Sequence, residues 1–99
     1  MQKEGMDDLG ERIEAIEENQ LKIAKEFGKQ NVSFFYTLSG MRVAALKEEK
    51  YKNFEGYMKF KMEEASRYIG SAQSVEEVIS LTDQYADNCI AYAESLLNK

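Results

Sequence analysis

Ile69-Gly70-Ser71-Ala72-Gln73-Ser74-Val75-Glu76-Glu77 is where the chain stops one helix and starts another. Ile69-Gly70 fits a helix C-terminus, with glycine suited to a left-handed residue just past the last turn. Ser74 then fits an N-cap. Its hydroxyl is placed to accept from the Glu77 amide, and the Glu77 side chain to return to the Ser74 amide, as in a capping box. A four-residue connection between two long apolar-periodic segments favours an antiparallel helical hairpin.

Upstream of that break, residues 32–69 read as one long helix. Phe34, Leu38, Met41 and Ala45 keep a three-four spacing, and Tyr51, Phe54, Met58, Ala65 and Ile69 resume it. Phe35, Val43, Leu46, Tyr57, Phe60 and Tyr68 widen the apolar face beyond what one narrow seam needs. Such a helix would be about 55–60 Å long if straight. Gly40 and Gly56 are points where it can bend or be approached closely. Glu48–Lys52, Glu55–Lys59, Lys59–Glu63 and Glu63–Arg67 stand at i,i+4 on its polar side. Downstream, residues 75–97 read as the other arm. Val75, Val78, Tyr85, Cys89, Tyr92 and Leu96 form one stripe, and Ile79, Ala86, Ile90, Ala93 and Leu97 a second beside it. Both stripes are expected to pack back on the long helix.

Residues 7–27 read as a first helix. Leu9, Ile13, Ile16, Gln20, Ile23 and Phe27 alternate intervals of three and four, a coiled-coil seam with Gln20 as its polar member. This seam is a candidate assembly surface. Asp7 or Asp8 suits the helix start. Gly28 has two readings. It ends this helix, with Asn31 capping the next, or it sits inside one longer helix at a cost of ~1 kcal/mol. The sequence favours neither, and the working division is helices at about 7–27, 32–69 and 75–97 in a single domain, residues 1–99.

Composition agrees with an all-α chain. Among 99 residues there is no proline and no histidine, so the strongest helix breaker is missing. The expected architecture is an elongated helical hairpin with an N-terminal coiled-coil-like helix. A core this small leaves apolar surface that calls for a partner, so a homo-oligomer is expected. The net charge of −5 is unevenly spread: −4 over residues 1–28, +3 over 29–70 and −4 over 71–99. Such a pattern argues against general nucleic-acid binding and suits steered assembly. Without histidine, the Ser-His-Asp and Cys-His arrangements and imidazole metal ligation fall away. Asp83 and Asp87 stand at i,i+4 but lack further ligands, so no metal or cofactor is expected, nor enzymatic activity. Cys89 lies on an apolar stripe and reads as a small buried hydrophobe. No charged segment leads into a long apolar run, and no apolar stretch is long enough to span a membrane. The cytoplasm is therefore the expected location.

Residues 50–61, Lys-Tyr-Lys-Asn-Phe-Glu-Gly-Tyr-Met-Lys-Phe-Lys, alternate basic and aromatic side chains. Core aromatics with solvated lysines explain the pattern first. Adsorption to an apolar surface with snorkelling lysine stems comes second, and stacking on single-stranded nucleic acid a distant third. Phe34, Phe35, Leu38, Met41, Tyr51, Phe54, Tyr57, Met58 and Phe60 are accordingly the candidates for an apolar surface or interface.

Asn53-Phe54-Glu55-Gly56-Tyr57, then Met62-Glu63-Glu64-Ala65-Ser66-Arg67-Tyr68-Ile69, then Ser74-Val75-Glu76-Glu77-Val78-Ile79-Ser80-Leu81-Thr82-Asp83-Gln84-Tyr85 resembles a phasin, a polyhydroxyalkanoate granule-associated protein. Phasins share a long amphipathic helix, a brief break, and a Ser/Pro-Glu-Glu-rich helix start that runs into a leucine and an aromatic. The resemblance covers residues 31–97, with Ser71–Tyr85 as break and restart. Residues 1–28, with their acidic heptad-like segment, fall outside it, and the chain is shorter than many members. The resemblance implies a non-enzymatic protein that coats hydrophobic storage granules in the cytoplasm, limits their coalescence and hides the same face by self-association in solution. The competing expectation is a small helical adaptor, chaperone or regulator that binds another helical protein through the coiled-coil surface.

Overall fold

The structure is a computed structural model that describes the backbone of residues 2–98 and the side chains of residues 17–98. It is all-α, with no strand among the described residues. Helix α1 spans Gln2–Leu46, a single turn of 3-10 helix spans Glu48–Lys50, α2 spans Tyr51–Gly70 and α3 spans Val75–Leu97. The molecule is a rod, 70 × 18 × 15 Å. Its long axis matches α1, whose 45 residues reach about 67 Å at 1.5 Å per residue.

Two of the expected helix limits are corrected. First, the chain does not break at Gly28, and Asn31 caps nothing: both lie inside α1. No glycine among the described residues has a positive φ. Gly28 is buried because α3 crosses close to it. A β-carbon there would stand 2.7 Å from Thr82 Oγ1 and 3.1 Å from Val78 Cγ1. Second, the segment 32–69 is not one helix. It folds back at Lys47, whose φ of −146° and ψ of 76° leave the helical region. The Lys47 amide still donates to Val43 O at 2.7 Å, and the Lys50 amide donates to Lys47 O at 2.8 Å. Residues 46–50 are ordinary helix formers, so the cause is tertiary. A straight helix 32–69 would need about 57 Å of cover, whereas the 23 residues of α3 offer about 35 Å. Folding at Lys47 lets α1 and α2 cover each other as well as α3.

The result is a three-helix bundle in which α1 and α3 run parallel and α2 runs against both. Two apolar clusters fill it. Toward the α2–α3 turn lie Val32, Ala65, Ile69, Ala72, Val78 and Tyr85, with Leu21, Ala24, Met62 and Leu81 against them. Toward the other end lie Val43, Phe54, Met58, Cys89, Ala93 and Leu96, with Phe35, Tyr36, Tyr51, Tyr92 and Leu97. Phe54 is wedged where α1 offers Gly40: a β-carbon at Gly40 would meet Phe54 Cε1 at 3.2 Å. Tyr36 and Tyr92 flank the Phe54 ring, with centroids 5.7 and 6.0 Å away. Cys89 is 2% exposed, and burial pushes its thiol pKa up, which suits packing rather than reactivity.

The hairpin turn forms where expected, with a different return bond. Ser74 has an extended backbone, and its Oγ accepts from the Glu77 amide at 3.1 Å. Glu77 Oε2 accepts from the Gln73 amide at 2.8 Å, not from Ser74. Gly70 closes α2 without turning left-handed. Its carbonyl instead accepts from Lys25 Nζ at 2.9 Å, so α1 caps the end of α2. Ion pairing also departs from the i,i+4 expectation. Among the described residues the pairs within 4.0 Å are Arg42–Glu94, at 3.9 Å, and Lys61–Glu64, at 3.2 Å.

Candidate interaction surface

Helix α1 carries two apolar stripes. One faces the bundle: Leu21, Ala24, Gly28, Val32, Phe35, Ser39 and Val43 are buried or half-buried. Ala24, Gly28 and Ser39 are small where α2 and α3 press close. The other stripe lies about 100° further round the helix, at 100° per residue. It contains Ile23, Phe27, Phe34, Leu38 and Met41, which are 52, 60, 59, 46 and 63% exposed. Gln20 is exposed in the same row. The bulkier stripe that dominates the sequence is thus the outer one, and the inner one mixes small residues with Leu21, Val32, Phe35 and Val43. Leu9, Ile13 and Ile16 continue the outer row in sequence, and their side chains lie outside the described residues; Asp7 and Asp8, expected at the helix start, stand inside α1, which begins at Gln2, so neither caps it.

Helix α3 extends the outer face. Of its second stripe, Ala86 and Ala93 pack inward, while Ile79 and Ile90 stand exposed. Phe27 and Ile79 line one groove of about 270 Å³ between α1 and α3, with Gly28, Val78 and Thr82 at its floor. Arg42 and Glu94 bridge the same groove further along. Ile79 and Ile90 therefore share a face with the α1 stripe, on the side away from α2. Sequence reasoning assigned them to the core. Their offset of about 100° from Val78 and Cys89 was the available signal.

The nine candidates for an apolar surface do not form one. Phe54 and Met58 are fully buried, and Phe35 and Tyr51 are half-buried against the same cluster. Tyr57 lies on Tyr92 with centroids 4.3 Å apart, and Lys61 Nζ sits 5.8 Å from the Tyr57 ring centre. Phe60 is exposed on α2, apart from the α1 stripe. Only Phe34, Leu38 and Met41 join the outer face. The aromatic–lysine run 50–61 is thus divided: Phe54 is core and Tyr51 half-buried, while Tyr57 and Phe60 stand exposed among the lysines.

The polar chemistry is structural in kind. Tyr85 donates its hydroxyl to Glu64 Oε2 at 3.0 Å, and Lys61 Nζ donates to the same oxygen at 3.2 Å. Lys61 and Tyr85 hold the Glu64 carboxyl below its ordinary range. Burial, then the bond to Glu64, raises the Tyr85 phenol to about 12. No three acidic or cysteine side chains converge on a common point among the described residues, and Asp83 and Asp87 are exposed. No helix of the described residues is long and apolar enough to cross a membrane. Comparison with protein-family profiles, characterised proteins and solved structures returns no match.

Proposed function

We propose that this chain is a non-enzymatic, phasin-like helical protein that coats hydrophobic storage granules such as polyhydroxyalkanoate and self-associates when no granule is present. The observation that supports it is the outer face of α1 and α3, where seven large apolar side chains stand a third or more exposed. Apolar residues scattered singly over a surface are ordinary, but a row shared by two parallel helices marks a docking face. Each half-exposed side chain gains about 1 kcal/mol on leaving water, so a row of them adsorbs cooperatively. The acidic residues elsewhere on α1 and α3 then keep coated granules apart in the cytoplasm. The heptad spacing of Ile23, Phe27, Phe34, Leu38 and Met41 favours a second reading, a helical adaptor whose partner is another protein.

Co-sedimentation with purified polyhydroxyalkanoate granules tests the first reading. The chain is expected to sediment with granules, and the triple variant Phe27→Asp, Phe34→Asp, Met41→Asp to remain in the supernatant. Recovery no greater than that of a soluble control protein would sink the proposal and leave the adaptor reading in its place.

A further inference from the structure

Helix α1 is longer than the hairpin that covers it. Glu17, Glu18 and Leu21 line a crevice with Gln73–Glu76 at the α2–α3 turn. Past that point α1 runs on from residue 16 back to Gln2, about 22 Å of helix. In sequence the outer row continues along it.

We infer that the occupant of the outer face in solution is a second copy of this chain, its α1 antiparallel to the first and in register about Phe27. The inference rests on reading this face as the working surface, and four features select the occupant. The first is spacing. The row falls at positions 9, 13, 16, 20, 23, 27, 31, 34, 38, 41 and 45, and its intervals read the same from either end. An antiparallel copy aligned Phe27 on Phe27 therefore sets Gln20 against Phe34, Ile23 against Asn31 and Ile16 against Leu38. The two successive four-residue steps at Phe27 form a stutter that relaxes supercoiling at the dyad. The second is length: a row this long needs a partner helix of its own length, and α1 is one.

The third is charge. Residues 2–28 hold eight acidic and four basic groups, whereas residues 29–46 hold Lys29, Arg42 and no acidic group. A parallel copy lays the acidic half on an acidic half. The antiparallel copy lays it on the basic half, which favours that orientation. On α3, Asp83 lines the groove and Asp87 is exposed, while Glu94 stands 3.9 Å from Arg42, so the balance that favours this orientation is carried by α1. The fourth is coverage. In the antiparallel arrangement the partner's α1 lies along the α1–α3 groove as a fourth helix, its residues about Phe27 beside Ile79 and its acidic end toward Ile90. The contact is isologous and closes on itself, so it stops at a dimer.

Disulfide trapping in a Cys89→Ser background tests the orientation. A mixture of Gln20→Cys and Phe34→Cys chains is expected to yield a cross-linked pair, while neither variant links to itself; Phe27→Cys links to itself. Self-linking of Gln20→Cys and Phe34→Cys would mean a parallel pair and overturn the inference. Sedimentation equilibrium of the unaltered chain gives the second readout. Twice 11.4 kDa is expected, falling to 11.4 kDa for Phe27→Asp with its helical circular dichroism retained. A chain that stays at 11.4 kDa up to millimolar concentration overturns the inference, and granule binding by that monomer would leave the proposed function standing. A dimer that ignores granules sinks the granule reading alone.

Discussion

At Gly28 the missing β-carbon decides how close α1 and α3 come. Thr82 Oγ1 occupies the space, and it is fixed there by donating to Val78 O at 2.7 Å. Overpacking such a contact costs about 1–3 kcal/mol, more than the ~1 kcal/mol that alanine gains over glycine inside a helix. Gly28→Ala is therefore expected to lower the unfolding free energy by about 1 kcal/mol, read from urea denaturation. Gly56 is the control, since nothing stands within 4 Å of a β-carbon there. Gly56→Ala should raise stability by about 0.5–1 kcal/mol. Stabilisation by both substitutions would mean that α1 and α3 pack more loosely than described. Tyr85 carries a pH signature of its own. Its phenol is raised from 10.0 to about 12, chiefly by burial and then by the bond to Glu64. The unfolded phenol ionises first, so this contribution is intact below pH 10 and is lost as pH rises through about 12. The urea midpoint of the native chain should fall more steeply across that window than the midpoint of Tyr85→Phe; parallel slopes would show that Tyr85 is not bonded as described. Glu64 has the opposite sign. Its carboxyl is depressed by Lys61 and Tyr85, so its contribution is present above the ordinary carboxylate pKa and lost as pH falls through the lowered value.

Among the elements, the α2–α3 turn is held by side chains near in sequence. Ser74→Ala removes the acceptor for the Glu77 amide and should cost about 1 kcal/mol. Ser74→Asp restores an acceptor at a helix N-terminus and should recover most of that loss in the same urea titration; an unaltered midpoint in Ser74→Ala would mean the turn is set by Ala72 and Val78 packing instead. This turn was legible because its signals are local: a serine, a glutamate three residues on, and apolar periods on both sides. The start of α3 was legible for the same reason. The bend at Lys47 was not, because Leu46-Lys47-Glu48-Glu49-Lys50 contains only tolerable helix residues. It follows from Val43, Phe54 and Met58 meeting in one cluster, a long-range fact that no window of sequence holds. Gly28 misled in the other direction. Glycine serves both a helix end and a close helix crossing, and only the position of Thr82 separates the two. The candidate surface was half legible. The seam through Gln20, Ile23 and Phe27 and the spacing of Phe34, Leu38 and Met41 were visible as two separate faces, but Phe54 and Met58 share the second spacing and lie in the core. Spacing identifies which residues share a face, not which face is covered.

For the molecule as a whole, the outer face of α1 and α3 has two proposed occupants, a second chain and an apolar granule, and one area cannot serve both at once. Desolvation of Ile23, Phe27, Phe34, Leu38 and Met41 drives both events, so granule binding and dimerisation must compete. The core clusters do not take part, because their members are covered in the single chain; helix content should therefore stay constant as one occupant replaces the other. Energy transfer between two populations labelled at Ser95, an exposed site on α3, provides the measurement. Transfer should be present in solution and should fall as polyhydroxyalkanoate granules are added in excess of the protein, with far-ultraviolet circular dichroism unchanged. Excess granule surface matters here, since crowded chains on a saturated surface transfer energy without being paired. Transfer that persists on dilute, granule-bound chains would show that the dimer adsorbs intact through another face, of which the exposed Phe60 side of α2 is the first to examine. Loss of helicity on binding would instead show that the bundle opens and that Val43, Phe54 and Met58 reach the polymer, so that the working surface would be the core itself.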